Sequence, residues 1–300
     1  MHDASPRGPA SGPRDGLQNE RVALDAATRV RYIEMIVDAG VRRIEAVSFA
    51  RPDRVPQMAH AEEVMAGVPR GDDVRYIGLV LNPKGAERAV ASGVDEANIV
   101  VVATDEFSRR NQGMSVEETL AHLPATVDRL VEAGIATTVT IGAAFGCPFE
   151  GEVPVERVRE IAARLESLPL AELALADTIG VAVPRDVRER VAAVREVTAR
   201  PLRLHLHNTR NTGYANALTA LEIGVDTLDA STGGIGGCPF APAATGNIAT
   251  EDLLYMARRS GWDSSVDSAG IIAATDFITG ELGIRPEAML GRAGGFPSVS

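Results

Sequence analysis

The sequence predicts an α/β protein built as a (β/α)8 barrel. Short apolar runs rich in β-branched residues alternate with longer amphipathic runs over most of the 300 residues, as in proteins with a parallel sheet. Four helix-like runs end at a glycine just before the next strand-like run, namely Gly40, Gly93, Gly134 and Gly224. No Gly-x-Gly-x-x-Gly motif follows a strand near the N-terminus, which disfavours an open, nucleotide-binding sheet.

The alternation assigns the elements in order. The strand-like segments are residues 43–49, 74–81, 97–103, 136–143, 172–176, 202–207 and 225–230. The helix-like segments are 26–39, 57–66, 84–92, 116–133, 154–165, 184–197, 212–223, 250–259 and 266–282. A closed barrel needs an eighth strand, which would have to precede Gly12 in a Pro- and Gly-rich stretch without a β pattern. We expect one domain over residues 1–300, with the first strand abbreviated or missing and residues 262–300 as a helical extension and tail.

Charge and cysteine content exclude several classes of partner. Acidic residues outnumber basic ones 41 to 30, a formal charge of −11, which argues against nucleic acid or an anionic membrane as the main partner. Two cysteines cannot build a disulfide framework and indicate a reducing compartment. The sequence shows no apolar run of about 18 residues and no apolar leader. We therefore expect a cytoplasmic protein without a membrane span.

Polar residues at the ends of strands are the candidates for function, because the loops after the strands carry the active sites of such barrels. They are Glu45, Ser48, Asn82, Lys84, Asp177, Thr178, His205, His207, Asn208 and Ser231, with Asp15 if a first strand exists. Asp177 can orient a neighbour or cap the next element. Lys84 could form an imine, but we interpret it as a solvated lysine at the start of a helix.

The tripeptide His205-Leu206-His207 is the sharpest local signal. Residues two apart on a strand point to the same side, so both imidazoles face inward at the top of the barrel. Such a pair suits one divalent ion, or else belongs to a buried polar network. Oxygen donors such as Asp15 and Asn247 as partners favour Mg²⁺ or Mn²⁺. Without His-Glu-x-x-His or paired Cys-x-x-Cys motifs, a zinc protease or zinc finger has no support.

A glycine-rich loop at residues 233–237 follows the last predicted strand and leads into Cys238. Four glycines in five residues allow a loop to close over a ligand. A cysteine held there could donate or accept a proton; the alternative is a flexible loop with an incidental thiol. We interpret Cys147, in a Gly-Cys-Pro-Phe stretch, as structural.

Several long motifs follow one another along the chain. They are PRDGLQNE at 13–20, IEAVSF at 44–49, VPQM at 55–58, GCPFEG at 146–151, DTIGV at 177–181, the His205-x-His207 pair, GIGGCPFA at 234–241 and GNIATEDL at 246–253. Together they make the chain, from Gly12 to about Gly261, resemble the hydroxymethylglutaryl-CoA lyase family of metal-dependent TIM-barrel lyases. Several motifs in the right order are far more specific than any one of them.

The resemblance implies a role for each matching site residue. One divalent cation, Mg²⁺ or Mn²⁺, would be held by Asp15, His205, His207 and Asn247. Arg14 would stabilise the developing enolate oxygen, and Cys238 would work in proton transfer. Glu45 would hold the Arg14 region in place, and Asp177 would support the site. The family resemblance also suggests a homodimer.

The implied reaction is the retro-Claisen cleavage of 3-hydroxy-3-methylglutaryl-CoA to acetyl-CoA and acetoacetate, with an acyl-CoA thioester as the bound partner. A divalent cation makes the substrate hydroxyl lose its proton more readily. Collapse of the alkoxide breaks the neighbouring C–C bond, an arginine stabilises the enolate, and a general acid protonates it. Since the substrate is itself anionic, we expect a locally positive pocket in a net-negative chain.

The chain departs from the family pattern at three positions, and these bear on the identity of the substrate. Asn208 stands where the family carries Asp, Arg210 adds a positive charge in the same segment, and Ala174 stands where a hydroxyl is expected. Arg210 could pair with a second carboxylate, which suits a related branched 3-hydroxyacyl-CoA such as citramalyl-CoA. Three further hypotheses are a condensing barrel, which the Cys238 loop disfavours, an imine aldolase through Lys84, and a degenerate, non-catalytic barrel.

Overall fold

The computed structural model describes residues 12–237 and 246–297, in which seven parallel strands form one sheet. Each strand pairs with the next in chain order, so the sheet runs β1-β2-β3-β4-β5-β6-β7. The strands are β1 Arg43–Ser48, β2 Arg75–Val80, β3 Glu96–Val102, β4 Ala136–Gly142, β5 Glu172–Ala176, β6 Leu202–His205 and β7 Thr227–Asp229. All seven predicted strands are confirmed, with ends that differ by a few residues, and the fold is the predicted barrel.

Helices alternate with the strands along the chain. They are α1 Ala26–Asp38, α2 Ala61–Gly67, α3 Pro83–Ser92, α4 Asp105–Gln112, α5 Val116–Glu132, α6 Val155–Leu165, α7 Pro184–Arg195, α8 Gly213–Glu222, α9 Thr250–Arg259, α10 Ser268–Leu282 and α11 Leu290–Ala293. The sequence pattern missed α4, because its run DEFSRRNQ buries only Phe107 and Ser108 and so lacks an apolar stripe. Among the described residues, none of the helices is long and apolar enough to cross a membrane.

The predicted glycine ends of helices are confirmed. Gly40, Gly93, Gly134 and Gly224 adopt φ values of 96°, 65°, 77° and 73°. This left-handed region is costly for residues with a Cβ. Each glycine therefore reverses the chain between a helix and the strand that follows.

A short π-helical turn, Gly12–Gly16, lies beside β1 and the segment after β7. A Cβ added at Gly16 would lie 2.7 Å from Ile235 Cγ1, and one at Gly12 would lie 3.2 Å from Ser231 Oγ. Only glycine permits so close an approach. The turn thus covers the seam between the first and last described strands, where the sequence predicted an abbreviated or missing strand.

The interior of the barrel contains charged and polar side chains. Side chains two residues apart on a strand share a face, which places pairs such as Arg43 with Glu45 on β1 and Arg203 with His205 on β6 inside. At the lower end, Arg43 bonds Glu96 and Glu172 at 2.7 and 2.8 Å. The apolar core lies instead between the sheet and the surrounding helices, for example at Ile33, Ile36, Val64 and Leu130.

The segment after α9 packs back against the barrel at both of its ends. The backbone N–H of Asp267 donates to Ala39 O at 2.7 Å, which attaches the start of α10 to the end of α1. Beyond α10 the chain returns to the top of the barrel, where the N–H groups of Glu287 and Ala288 donate to Gly233 O at 3.0 and 3.1 Å. The predicted tail region therefore contributes to the end of the barrel that carries the candidate residues.

Candidate functional site

A cavity of about 1630 Å³ opens at the C-terminal end of the strands, the end at which barrels of this kind carry their active sites. Arg14, Asp15, His205 and His207 line it. Pockets for drug-sized ligands measure roughly 300–1,000 Å³, so this cavity has room for a larger molecule.

The π-helical turn brings Arg14 and Asp15 into the cavity. Arg14 Nη1 lies 2.7 Å from Asp15 Oδ1, and Nη2 lies 2.6 Å from Glu45 Oε2. Burial alone would lower the pKa of Arg14, but the charges of Glu45 and Asp15 outweigh it and raise that pKa. Two of the five N–H donors of the guanidinium are thus used by carboxylates, and the group is held charged and fixed in the cavity.

Glu45 is itself held from the other side. Its Oε1 accepts a hydrogen bond of 3.1 Å from Asn98 Nδ2, and Asn98 Oδ1 accepts one of 2.8 Å from Thr140 Oγ1. This chain of contacts crosses from β1 through β3 to β4. Glu45 therefore contacts Arg14 from the barrel interior, and its role in holding the Arg14 region in place stays a prediction.

The two predicted histidines meet Asp15 at the top of the barrel. His205 Nε2 lies 3.0 Å from His207 Nε2 and 3.6 Å from Asp15 Oδ2. Burial and the neighbouring His205 lower the pKa of His207 to about 3. Burial opposes charge on Asp15 too, but Arg14 and the two histidines lower its pKa. The lowered pKa values keep the Asp15 carboxylate ionised and the His207 ring neutral.

Asn247 adjoins this cluster. A single antiparallel bridge pairs its backbone with that of His207, and its Nδ2 donates to Asp15 Oδ2 at 2.9 Å and to Ile235 O at 3.1 Å. Both amide N–H donors are therefore used, which leaves Oδ1 as the atom that could ligate. Its role as a fourth ligand stays a prediction.

The residues present fit a divalent cation. One ligand atom each from Asp15, His205 and His207 lies within 4.8 Å of the others, and His207 Nδ1 is buried without a hydrogen-bond partner among the described residues. A carboxylate with two imidazoles is a common donor set for divalent transition metals. The structure therefore brings together three of the four predicted ligands as a candidate metal site.

Two predicted site residues remain, Asp177 and Cys238. Asp177 is fully buried, and its carboxylate accepts from the N–H groups of Val181 and Ala182 at 2.9 and 3.1 Å. Burial raises its pKa, against these two bonds. Asp177 shapes the loop after β5, and its support of the site stays a prediction. Cys238 lies outside the described residues, so its role in proton transfer stays a prediction too.

Three candidates from the strand ends have local partners. Asn82 accepts from Gly85 N at 2.9 Å and caps α3. Thr178 Oγ1 accepts from Ala143 N at 2.9 Å, and Ser48 Oγ from Ala50 N at 3.2 Å.

Three other candidates divide between the surface and the core. Lys84 is exposed in the first turn of α3, as interpreted from the sequence. Cys147 Sγ is buried and accepts from Thr104 Oγ1 at 3.0 Å, which agrees with a structural role. Ser231 Oγ is buried without a hydrogen-bond partner among the described residues.

The departures from the family pattern have local explanations. Asn208 Oδ1 accepts from Gly213 N at 3.2 Å, ahead of α8. Arg210 Nη1 donates to the carbonyls of Ile179 and Gly180 at 2.8 and 3.0 Å and ties two loops together. Arg210 is not among the described residues that line the cavity, which weighs against the hypothesis that it binds a second substrate carboxylate.

Ala174 is explained by its neighbours in the sheet. It pairs with Thr140 on β4 and with Arg203 on β6, and Arg203 Nη2 reaches Thr140 Oγ1 at 3.5 Å. A small side chain between them leaves room for the guanidinium to cross β5. The missing hydroxyl therefore accompanies an arginine that fills the same part of the barrel.

The sequence motifs did not indicate Asn98, Thr140, Arg203 and Asp229 as site residues. Asn98, Thr140 and Asp229 line the cavity, and Arg203 is buried just behind it. The sequence does carry a signal for such residues. It is a polar residue in an apolar strand, two positions from another residue that faces the barrel interior, as Asp229 is from Thr227. Strand-end position alone did not reveal Asn98, Thr140 and Arg203, because they lie within their strands, whereas Asp229 is the last residue of β7.

The mouth of the cavity is positively charged. Among the residues that the structure describes, six arginines besides Arg14 line it, namely Arg21, Arg51, Arg54, Arg109, Arg110 and Arg285. The acidic residues that line it are Asp15, Glu20, Asp229 and Glu287. The cavity thus carries an excess of positive charge in a chain of net charge −11, as expected for an anionic ligand.

Fold and site together define a (β/α)8-barrel enzyme with a candidate divalent-metal centre beside a buried arginine. The HMGL-like family model matches residues 9–278. An (R)-citramalyl-CoA lyase of Chloroflexus aurantiacus is 43% identical over 296 residues, which cover 94% of this chain and 92% of that protein. The mitochondrial hydroxymethylglutaryl-CoA lyase of Mus musculus is 39% identical over 268 residues, 89% of this chain and 82% of that protein.

A solved structure agrees closely. An HMG-CoA lyase from Acinetobacter baumannii in complex with coenzyme A and 3-methylmalate matches with a TM-score of 0.94 and 34% identity, and the match covers 100% of this chain and 98% of that chain. The chain belongs to the HMGL-like family, that of the HMG-CoA lyases. It is a carbon–carbon lyase that cleaves a CoA thioester of a hydroxyacid.

Proposed function

We propose that this protein catalyses the metal-dependent retro-Claisen cleavage of 3-hydroxy-3-methylglutaryl-CoA to acetyl-CoA and acetoacetate. The observation that carries the proposal is the placement of Arg14, fixed between Asp15 and Glu45, beside the Asp15–His205–His207 cluster in one cavity. A positive charge and a candidate metal site side by side suit a reaction in which one oxygen loses a proton and another gains negative charge.

Asp15, His205 and His207, with Asn247 as the predicted fourth ligand, are the residues that would hold Mg²⁺ or Mn²⁺. When bound, the cation supplies Lewis acidity that lowers the pKa of a coordinated hydroxyl. Arg14 would face the thioester oxygen, where charge develops when the C–C bond breaks, and two carboxylates already orient it. The substrate hydroxyl gives up one proton, the C–C bond breaks, and the acetyl-CoA carbon takes up one proton, so no net proton is gained or lost.

Cys238 is the proposed donor of that proton. The glycine loop before it is anchored where Asn19 Nδ2 donates to Gly237 O at 2.7 Å. This contact joins the loop to the segment that carries Arg14 and Asp15. The six arginines at the mouth are proposed to receive the phosphates of coenzyme A, because guanidinium groups bind phosphate strongly.

Citramalyl-CoA is the second candidate substrate. The 43% identity to a citramalyl-CoA lyase supports it. The two substrates share a tertiary hydroxyl and an acetyl-CoA leaving portion, and they differ by one methylene. The same machinery would release acetoacetate from one and pyruvate from the other.

One experiment tests both the reaction and its substrate. The protein is stripped with EDTA, dialysed, and given each thioester with or without Mg²⁺ or Mn²⁺. Acetyl-CoA is measured by mass spectrometry, and acetoacetate and pyruvate by dehydrogenase-coupled NADH oxidation. Cleavage that needs added metal supports the proposal, and the larger kcat/KM identifies the substrate. Full turnover in chelator, or no acetyl-CoA from either thioester, overturns it. Lys84→Gln is the control and should retain full activity, because Lys84 is exposed on α3.

A further inference from the structure

We propose that Asp229 is a positioning residue that fixes the ring and tautomer of His205 for metal binding, and that Arg203 balances its charge inside the barrel. The inference rests on the proposed metal-dependent function. Neither Asp229 nor Arg203 belongs to the motifs that carry the family resemblance.

Asp229 and His205 are direct neighbours across two strands. They are paired in the register of β6 and β7, and His205 Nδ1 lies 3.3 Å from Asp229 Oδ2. A neutral imidazole carries one N–H. If Nδ1 donates to Asp229, the lone pair of Nε2 points to His207 and Asp15, where the candidate ligand atoms converge. A carboxylate partner of this kind orients a ligating histidine and strengthens it as a ligand.

The two histidines differ in how they are held. His207 Nδ1 is buried and has no hydrogen-bond partner among the described residues, but its backbone is paired with that of Asn247. His205 lies at the end of β6, where its ring is held by the carboxylate of Asp229. Loss of Asp229 should therefore affect His205 and leave His207 in place.

Arg203 offsets the negative charge of Asp229, a second buried carboxylate near Asp15. Its Nε lies 3.6 Å from Asp229 Oδ1 and 3.6 Å from Glu172 Oε2, and the side chain is 1% exposed. Glu172 also bonds Arg43 at the lower end of the barrel. A buried carboxylate without a cation nearby is strongly unfavourable. Arg203 thus connects the site to the charged network below it.

The test measures Mn²⁺ affinity rather than turnover. Asp229→Ala removes the acceptor, and Asp229→Asn keeps the shape and loses the charge. Changes of this kind typically weaken metal binding 10- to 100-fold, so we expect a Kd about 10- to 100-fold higher for Asp229→Ala, and a smaller increase for Asp229→Asn. The concentration of free Mn²⁺ is measured by electron paramagnetic resonance. The matched control is Asp226→Asn, whose carboxylate bonds Arg195 outside the barrel.

A spectroscopic readout separates positioning from loss of structure. Electron spin-echo modulation of bound Mn²⁺ reports nitrogen ligands, and His205→Ala identifies the signal of His205. In Asp229→Ala that signal should weaken while the His207 signal persists. If Asp229→Ala does not fold, the double variant Arg203→Gln with Asp229→Asn removes the opposite charges together and is measured in the same way.

The outcomes are distinct. A wild-type protein that binds no Mn²⁺ overturns the metal-dependent function and the inference with it. Wild-type binding with unchanged affinity and spectra in the Asp229 variants overturns the inference alone. An equal loss in Asp226→Asn also overturns it, because the effect would then be a general loss of stability.

Discussion

Arg14 Nη2 lies 2.6 Å from Glu45 Oε2, and this ion pair joins the turn before the sheet to its first described strand. The other oxygen of Glu45 is held by Asn98 on β3. Arg14 is therefore located by the barrel interior as well as by its own turn. Preorganised charge of this kind is effective in catalysis, because it does not have to reorient during the reaction.

Arg14→Gln and Arg14→Lys test this preorganisation. Loss of one donor to a developing oxyanion costs about 10²–10³-fold in kcat. We expect about 10³-fold for Arg14→Gln and about 10²-fold for Arg14→Lys, because a lysine keeps the charge but cannot reach both carboxylates as a planar fork. KM and Mn²⁺ affinity should change much less. Steady-state kinetics measure this, with the exposed Arg31→Lys on α1 as control. A variant with near-normal kcat would refute the role.

Gly16→Ala tests the close packing of the turn that carries Arg14 and Asp15. The new Cβ would lie 2.7 Å from Ile235 Cγ1 and 2.9 Å from Ser231 Oγ. Overpacking typically costs about 1–3 kcal/mol, and the shifted Asp15 should weaken Mn²⁺ binding. Gly280→Ala on α10 has no atom within 4 Å and should gain about 0.5–1 kcal/mol. Urea unfolding measures both, and equal effects of the two changes would speak against the argument.

Arg210→Gln tests whether this arginine selects the substrate. Because its guanidinium bonds the carbonyls of Ile179 and Gly180, we expect the ratio of kcat/KM for the two thioesters to change by less than about twofold. The unfolding free energy should fall by about 1 kcal/mol, as is usual for a lost hydrogen bond. A selective loss of activity on one thioester would restore the hypothesis that Arg210 binds its carboxylate.

Glu251 gives stability a predictable pH dependence. It is buried, and its carboxylate accepts from Gly233 N at 3.0 Å and from Thr275 Oγ1 at 2.8 Å. Burial raises its pKa above 4.5, so the folded state binds the proton more tightly than the unfolded chain. Its contribution is present below 4.5 and is lost as the pH rises through the folded pKa.

Glu251→Gln should therefore gain stability relative to the wild type as the pH rises from 4.5. Urea unfolding at a series of pH values measures the difference. Glu156→Gln is the control of opposite sign: its hydrogen bond with Arg159 lowers the Glu156 pKa. Since Glu156 is fully exposed, its slope should be shallow. A difference between Glu251→Gln and wild type that does not vary with pH would show that the raised pKa is wrong.

Much of the fold was predictable, because local periodicity and helix ends are encoded in neighbouring residues. The seven strands and the glycines that close four helices follow from this. The helix at Asp105–Gln112 did not, since its polar sequence carries no apolar stripe. The motifs pointed to Arg14, Asp15, Glu45, His205 and His207. Four of them line one cavity, and Glu45 contacts Arg14 beside it.

The sequence by itself determined the alternating architecture, the family and the residue types of the site. Only the tertiary structure decided which polar residues share the barrel interior. A strand pattern shows which face of the sheet a side chain occupies, but not which residue of the neighbouring strand lies beside it. Contacts such as that of His205 with Asp229 depend on this register. For the same reason the structure placed Arg210 against a neighbouring loop and Arg203 behind the site. Both residues are arginines with the same charge, and only their surroundings in the fold give them different roles.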